Sequence, residues 1–504
     1  MSSSAYPRFP RPSTPSTEPM LDVLFGNLWP DRDVRARPRL VAAAGAVGVL
    51  AAVVLPFRTI GIGTFLVLAC VCVVVAVADD RIRRPYHLAS ATLSLLLLTP
   101  LFLRAAEWVG VLCLLAAFAV GATALAGGRS VPGIAASMAA VPLAALRGLP
   151  WLGRSLAEAP RSRTWAPIVR TVVLSVLAVV VFGALFASAD AVFARWMDAL
   201  VPDLTLDGAP LRVFVVLAIG GLTLAGVYVA LNPPRVARLA VLPDAPVTRR
   251  FEWLVPVTLV VAVFALFVVA QLTVMFGGHD YVRRTTGLTY AEYVHQGFAQ
   301  LTLATVLTLA VVAVAARKAP RATARDRLLL RLVLGVLCVL ALVVVASALH
   351  RMDIYEEAYG YTTLRLLVSF FEGWLGVVVL LVLVAGIRLS GAWVPRAALL
   401  TGATTLLALA MLNPDAYVAE RNIERYRATG KIDWYYLNSL SADATPVLAA
   451  LPPALQPCVV VGRTTTGDWL EWNLGRARAH EAAPHGLPGG RACLTFAASP
   501  VPAR

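Results

Sequence analysis

The stretch LTYAEYVHQGF, residues 288 to 298, sets Glu292, Tyr293 and His295 within four positions of one another. On a helix, residues three apart share a face, so Glu292 and His295 form a pair able to trade a proton or to hydrogen-bond a polar group. Further carboxylates and phenols lie in two other polar stretches: Asp190 in ASADAVF, and Asp353, Glu356 and Tyr359 in HRMDIYEEAYGYTTLR. With Glu292, Tyr293 and His295 they make a candidate polar pocket. His279, Asp280, His295, His350 and Asp353 raise a metal site as one reading. None of them has a zinc-ligand spacing such as His-Glu-x-x-His, so neither metal nor cofactor is expected.

The same residues have a structural reading. Thr289 and Glu292 match a capping box, in which hydroxyl and carboxylate each satisfy an amide at the start of a helix, and Tyr290 and Tyr293 suit headgroup depth. Asp353 with Glu356 repeats that spacing ahead of the next apolar run. Two polar side chains then stand alone in apolar runs. Glu372, in LLVSFFEGWLGVVVLL, is costly in hydrocarbon and is either a structural lock between helices or a proton or substrate site. Gln271 is its candidate partner.

Such groups need elements to hold them, and the composition says which kind. A mean hydropathy of +0.75 with only 14% charged residues exceeds what soluble cores bury, so the chain is expected to be a polytopic, all-α membrane protein. The net charge of +15 comes mainly from arginines clustered between apolar runs, which argues against nucleic acid as a partner and for orientation signals in a lipid bilayer. At 1.5 Å per residue a crossing takes about 20 apolar residues. Runs of that kind lie near 40–56, 59–78, 88–103, 108–126, 171–189, 211–231, 254–276, 297–315, 328–348, 364–386 and 396–412, giving about eleven spans. Residues 1–39 form a disordered tail and juxtamembrane segment, 40–412 the membrane domain and 413–504 a small, mainly helical C-terminal domain.

Loops carrying Arg81, Arg83 and Arg84, then Arg147, Arg154, Arg161 and Arg163, then Arg235, Arg238, Arg249 and Arg250, and finally Arg317 to Arg327 alternate with arginine-poor ones. The positive-inside rule makes the rich set cytoplasmic, with the N-terminus inside a bacterial plasma membrane and the C-terminus outside. Residues 131–148 contain Pro132 and Pro142, which disfavour an uninterrupted helix, and are assigned to the cytoplasmic interface. The polar stretches then gather on the outer face, where the tail from Asn413 closes over them.

In the tail, Pro414 at a first helical position, a face of Ala416, Ala419, Ile423 and Tyr426, and Gly430 as a stop define a helix. Asp433 caps WYYLNSL. Trp469 and Trp472, three apart, are expected in a core. Cys70, Cys72, Cys113 and Cys338 read as apolar residues in spans, whereas Cys458 and Cys493 would share an oxidising compartment and are expected to pair.

Four stretches, FGALFASADAVFA, LTYAEYVHQGF, RMDIYEEAYGYTTLRL and NPDAYVAERNIERYRATGKIDWYYLNSLSADATPVL, together resemble bacterial multi-pass membrane proteins of domain of unknown function 4173, with relatives in domain of unknown function 4153. The resemblance spans roughly 165 to 480 and implies a polytopic helical fold, with no activity or catalytic residues. Three functions are weighed: a non-enzymatic organiser or regulator of the envelope, with an envelope protein or outer-leaflet lipid as partner; a transporter or flippase; and an enzyme of lipid-linked substrates. The second lacks a nucleotide-binding motif and obvious inverted repeats. The third would need an acid in the first external loop, which is only about PFRT.

Overall fold

The computed structural model describes residues 26–30, 34–158, 208–236, 247, 249–286, 298–453, 455–462 and 467–488, with isolated positions between 171 and 195. Side chains at 27, 272–286 and 298–299 lie outside that description. Among the described residues thirteen α-helices precede the tail: α1 Pro38–Val54, α2 Ile62–Ala78, α3 Pro85–Leu96, α4 Pro100–Leu103, α5 Glu107–Ala126, α6 Val131–Arg147, α7 Leu149–Ala157, α8 Ala209–Leu231, α9 Phe251–Thr286, α10 Phe298–Lys318, α11 Ala324–Tyr359, α12 Thr363–Arg388 and α13 Val394–Leu412.

Among the described residues, eight helical stretches are long and apolar enough to cross a membrane, α3 and α4 counting together, and α1 and α2 are shorter apolar helices. The fifth expected span, 171–189, lies mostly outside the described residues. The protein is therefore a polytopic helical membrane protein. Helices apolar on all sides have no soluble alternative, because lipid takes the faces that packing leaves open.

The bundle has two packed regions. Helices α1, α2, α5, α6 and α8 join through small residues: at Gly48 of α1 an added Cβ would stand 2.7 Å from the Val216 carbonyl of α8, so only glycine allows that approach. Helices α9 to α12 form the second region around Trp253, Leu330, Leu337 and Val379. Helix α13 bridges the regions, touching α3, α5 and α12.

Residues 131–147 correct one expectation. Helix α6 runs through Pro142 and breaks only at Gly148, where α7 departs at 48°. The cost of Pro142 within the helix, about 3 kcal/mol for its missing donor and ring clash together, is offset by a small-residue face of Gly133, Ser137, Ala140 and Ala144 against α5 and α8. Arg147 Nε donates to the Trp29 carbonyl, Trp151 Nε1 to that of Arg35, and Ser155 Oγ accepts from the Arg37 amide. Helices α6 and α7 thus lie against the segment that enters α1.

Local chemistry sets the helix ends. Helix α11 begins in a capping box of Thr323 and Asp326 and ends at Gly360, whose φ is +91°. Thr362 then caps α12 by accepting from the Arg365 amide. Asp353 and Glu356 consequently lie inside the last turns of α11 and do not begin the next helix, correcting the spacing argument above. No proline or glycine stands between the apolar stretch of α11 and Gly360, so the helix continues past that stretch.

The segment after α13 contains α14 Pro414–Thr429, α15 Trp434–Leu437, α16 Thr445–Ala449 and α17 Leu474–Ala482, with a two-stranded ribbon of β1 Val460–Val461 and β2 Leu487–Pro488. Gly430 ends α14 at φ +69°, and Asp433 caps α15 through the Tyr436 amide. Ile423, Trp434, Leu437, Leu448 and Val459 give the tail a core of its own. The buried face of α14 is Asp415, Val418, Ala419, Asn422 and Ile423, one position round from the apolar face expected.

Candidate functional site

The tail docks on one face of the bundle, the one holding the α1–α2 loop, the α4–α5 turn and the α11–α12 turn. At the first, Arg58 Nε pairs with Asp468 Oδ2 at 2.7 Å, Glu471 Oε1 accepts from the Thr59 amide, and the Ile62 amide donates to the Trp472 carbonyl. Leu470 is buried against Ala51, Val54 and Val67. That insertion leaves the flanking tryptophans outside, Trp469 at 45% and Trp472 at 43% exposure, where a core position was expected. Trp472 instead approaches the Phe102 ring, with centroids 6.4 Å apart.

The second contact caps a membrane helix from the tail. Asp443 Oδ2 accepts the Ala105 and Ala106 amides at 2.8 and 3.0 Å, satisfying donors at the entry to α5. Among the described residues its buried Oδ1 has no hydrogen-bond partner. Burial pushes the Asp443 carboxyl above its usual range, against the lowering effect of those amides and of Arg104. A Cβ at Gly475 would stand 2.0 Å from Oδ1, so α17 can pass here only with glycine. Asn473 Nδ2 donates to the Leu101 and Arg104 carbonyls, while Arg104 Nε and Nη2 reach the Ala410 and Met411 carbonyls at the end of α13. Asp415 Oδ1 takes the Trp108 indole at 3.4 Å and Oδ2 the Ser441 amide at 2.9 Å.

At the third contact Asn422 spans Tyr361, accepting from its amide at 3.0 Å and donating to its carbonyl at 2.8 Å. Arg425 donates to the Glu357 and Ala358 carbonyls, which the end of α11 leaves open. Tyr436 Oη accepts from the Thr363 amide. Arg365 lies over the Tyr355 ring at 4.3 Å and donates to the Gly360 carbonyl.

Between the second and third contacts lies an open cleft of about 480 Å³, lined by Glu107, Trp108, Thr363, Asp415, Tyr436 and Arg476 among others. Two rings, two carboxylates, a guanidinium and hydroxyls can bind a polar headgroup or glycan by stacking and hydrogen bonds. The two serines of its wall serve the backbone, Ser439 Oγ donating to the Tyr436 carbonyl and Ser441 Oγ accepting from the Asp443 amide. Among the described residues no group of three or more His, Cys, Asp or Glu is placed to hold a metal ion.

The residues singled out from sequence fall in several places. Glu292, Tyr293 and His295 lie outside the described residues, as do the side chains of His279 and Asp280. Glu356 is buried at the end of α11, whereas Asp353 and Tyr359 are exposed beside it. Asp190 is exposed and caps the amides of Val192 and Phe193. Gln271 Oε1 accepts from Arg351 at 2.7 Å and Ser347 at 3.2 Å, linking α9 to α11. Glu372 is fully buried on α12 and faces the Thr302 hydroxyl. Cys458 is disulfide-bonded, Cys70, Cys72, Cys113 and Cys338 are free, and Cys493 lies outside the described residues. Asp443, Asn473, Asp415 and Asn422 were not singled out. Their partners are up to 372 positions away, and the one local signal was the Ser-Ala-Asp start of a short turn at 441.

The fold thus defines a polytopic helical membrane protein with a tail clamped across one face. Residues 91–451 match the family described as domain of unknown function DUF4153, and the chain belongs to it. No curated protein and no solved structure matches the chain. The matched region holds α13, α14 and Asp443, so the α5 cap lies within the family's own extent.

Proposed function

We propose that the protein is a non-enzymatic organiser or regulator of the bacterial cell envelope, acting through the face its tail covers. One observation carries the reading: Asp443, Asn473, Asp415, Asn422 and Arg425 of the tail hold it on the bundle, while Trp469, Trp472 and Tyr435 are exposed and an open polar cleft lies beside them. That is the division of labour of a docking platform, with an envelope protein or outer-leaflet lipid as its partner. Arg83, Arg84, Arg147, Arg154, Arg249, Arg250, Arg317 and Lys318 belong to the opposite face, which supports a cytoplasmic N-terminus and an extracytoplasmic tail.

On this reading residues 413–504 are an extracytoplasmic domain, in an oxidising compartment where Cys458 pairs with Cys493. Asp353 and Tyr359, exposed beside the buried Glu356, give this face the described part of its polar wall. The four motifs favour the narrower likeness to domain of unknown function 4173. A transporter or flippase is the second reading, favoured by the buried Glu372. An enzyme of lipid-linked substrates is the third; the α1–α2 loop brings no acid of its own, although Asp468 and Glu471 reach it from the tail. A deletion strain profiled for envelope proteins, lipids and glycans separates them. Altered partner levels support the first reading, whereas a misplaced lipid or solute, or a missing product, replaces it with the second or third.

A further inference from the structure

We propose that Glu372 is a proton-binding site within the membrane, its carboxyl held as the neutral acid among α10, α11 and α12. The inference stands apart from the role given to the tail face. Glu372 lies nine residues after Thr363, the first of α12, so about 14 Å along the helix and within its apolar run. Its side chain is 0% exposed, and among the described residues neither carboxyl oxygen has a partner at full hydrogen-bond geometry. The Thr302 hydroxyl of α10 faces it.

Among the described residues, the charged groups of the elements packed against α12 either bond elsewhere or lie toward the helix ends. On α11, Arg351 lies at a similar depth, eight residues before Tyr359, and its guanidinium bonds Gln271 Oε1 at 2.7 Å. Toward the tail on α11, Asp353 is exposed and Glu356 buried; Arg317 and Lys318 of α10 lie at that helix's far end. Arg396 of α13 lies at its far end and donates to the Gly128 carbonyl. Arg365 and Arg388 sit near the two ends of α12 itself, the former over Tyr355. Helix α14 meets α12 only at the tail face, where Asp415 holds Ser441 and Trp108.

A carboxylate in that position would be an uncompensated charge in hydrocarbon, whereas the neutral acid loses only the hydration of a hydroxyl and a carbonyl. The acid can also donate to Thr302, which a carboxylate cannot. A second polar cluster at comparable depth, Gln271, Ser347 and Arg351, joins α9 to α11. Glu372 is therefore the group on α12 that can take up or release a proton when these helices move and admit water.

The test is infrared spectroscopy of the full-length protein in lipid bilayers at neutral pH, in D2O. Wild type should show a protonated-carboxyl stretching band that is lost in Glu372→Gln, a near-isosteric change. An unchanged spectrum, or loss of a carboxylate band instead, overturns the proposal. Carboxyl-13C glutamate in the Glu356→Gln protein reads the same site with residue 372 intact. A shifted protonated-carboxyl band supports the proposal there, and carboxylate bands alone contradict it.

Discussion

Replacing Asp443 with alanine should release the tail from the α4–α5 turn without harming the membrane helices. The carboxylate satisfies two amides, at 2.8 and 3.0 Å, that no helical carbonyl can serve. Each orphaned buried amide costs about 1–3 kcal/mol, partly offset because a buried carboxyl with one unpartnered oxygen is removed. A net loss of about 2 kcal/mol lowers the ratio of docked to undocked tail roughly 30-fold. Asp443→Asn keeps a carbonyl acceptor and should cost about half as much. Burial raises the Asp443 carboxyl above its ordinary 3.8, so the docked tail favours the protonated acid. That contribution is complete below the ordinary value and is lost as pH rises through the raised one, so wild type should lose stability relative to Asp443→Asn across that window. Limited proteolysis of the tail in membranes, repeated across pH, measures both effects. Equal cleavage of wild type and Asp443→Ala at every pH would refute the capping argument.

Two further outcomes follow from particular residues. Gly360→Ala should destabilise the α11–α12 turn by about 1–3 kcal/mol, because φ is +91° and a Cβ would stand 2.9 Å from Asn422 Oδ1; a thermal melt indistinguishable from wild type would contradict it. Native, unreduced protein should leave Cys458 and Cys493 unlabelled by a thiol reagent, and reduction should loosen the tail by about 3–4 kcal/mol for a loop of roughly 35 residues; labelling of both before reduction would exclude the pairing.

What was legible in the sequence was local. The Asn413-Pro414 start, the Gly430 stop and the Asp433 cap depend on residues within a few positions, and apolar length alone is enough to mark a membrane helix. The site was not legible, because its bonds join Asp443 to Ala105, Asn473 to Leu101 and Arg58 to Asp468 across hundreds of positions. The cap-like spacing of Asp353 and Glu356 misled: it suggested the start of the next helix, yet α11 continues to Tyr359 because no proline or glycine stands between its apolar stretch and Gly360. The tryptophan spacing misled in another way. A three-residue period implies one face of an α-helix, but Trp469 to Glu471 form a 3-10 turn in which Leu470 enters the bundle.

The proposed extracytoplasmic orientation of the tail face is tested most directly at Tyr435, 79% exposed on α15. A membrane-impermeant maleimide added to intact cells should label Tyr435→Cys at once. Arg83→Cys, exposed in the α2–α3 loop on the opposite face, should react only after permeabilisation. The reverse pattern, with Arg83→Cys labelled in intact cells and Tyr435→Cys protected, would contradict the orientation and the function built on it.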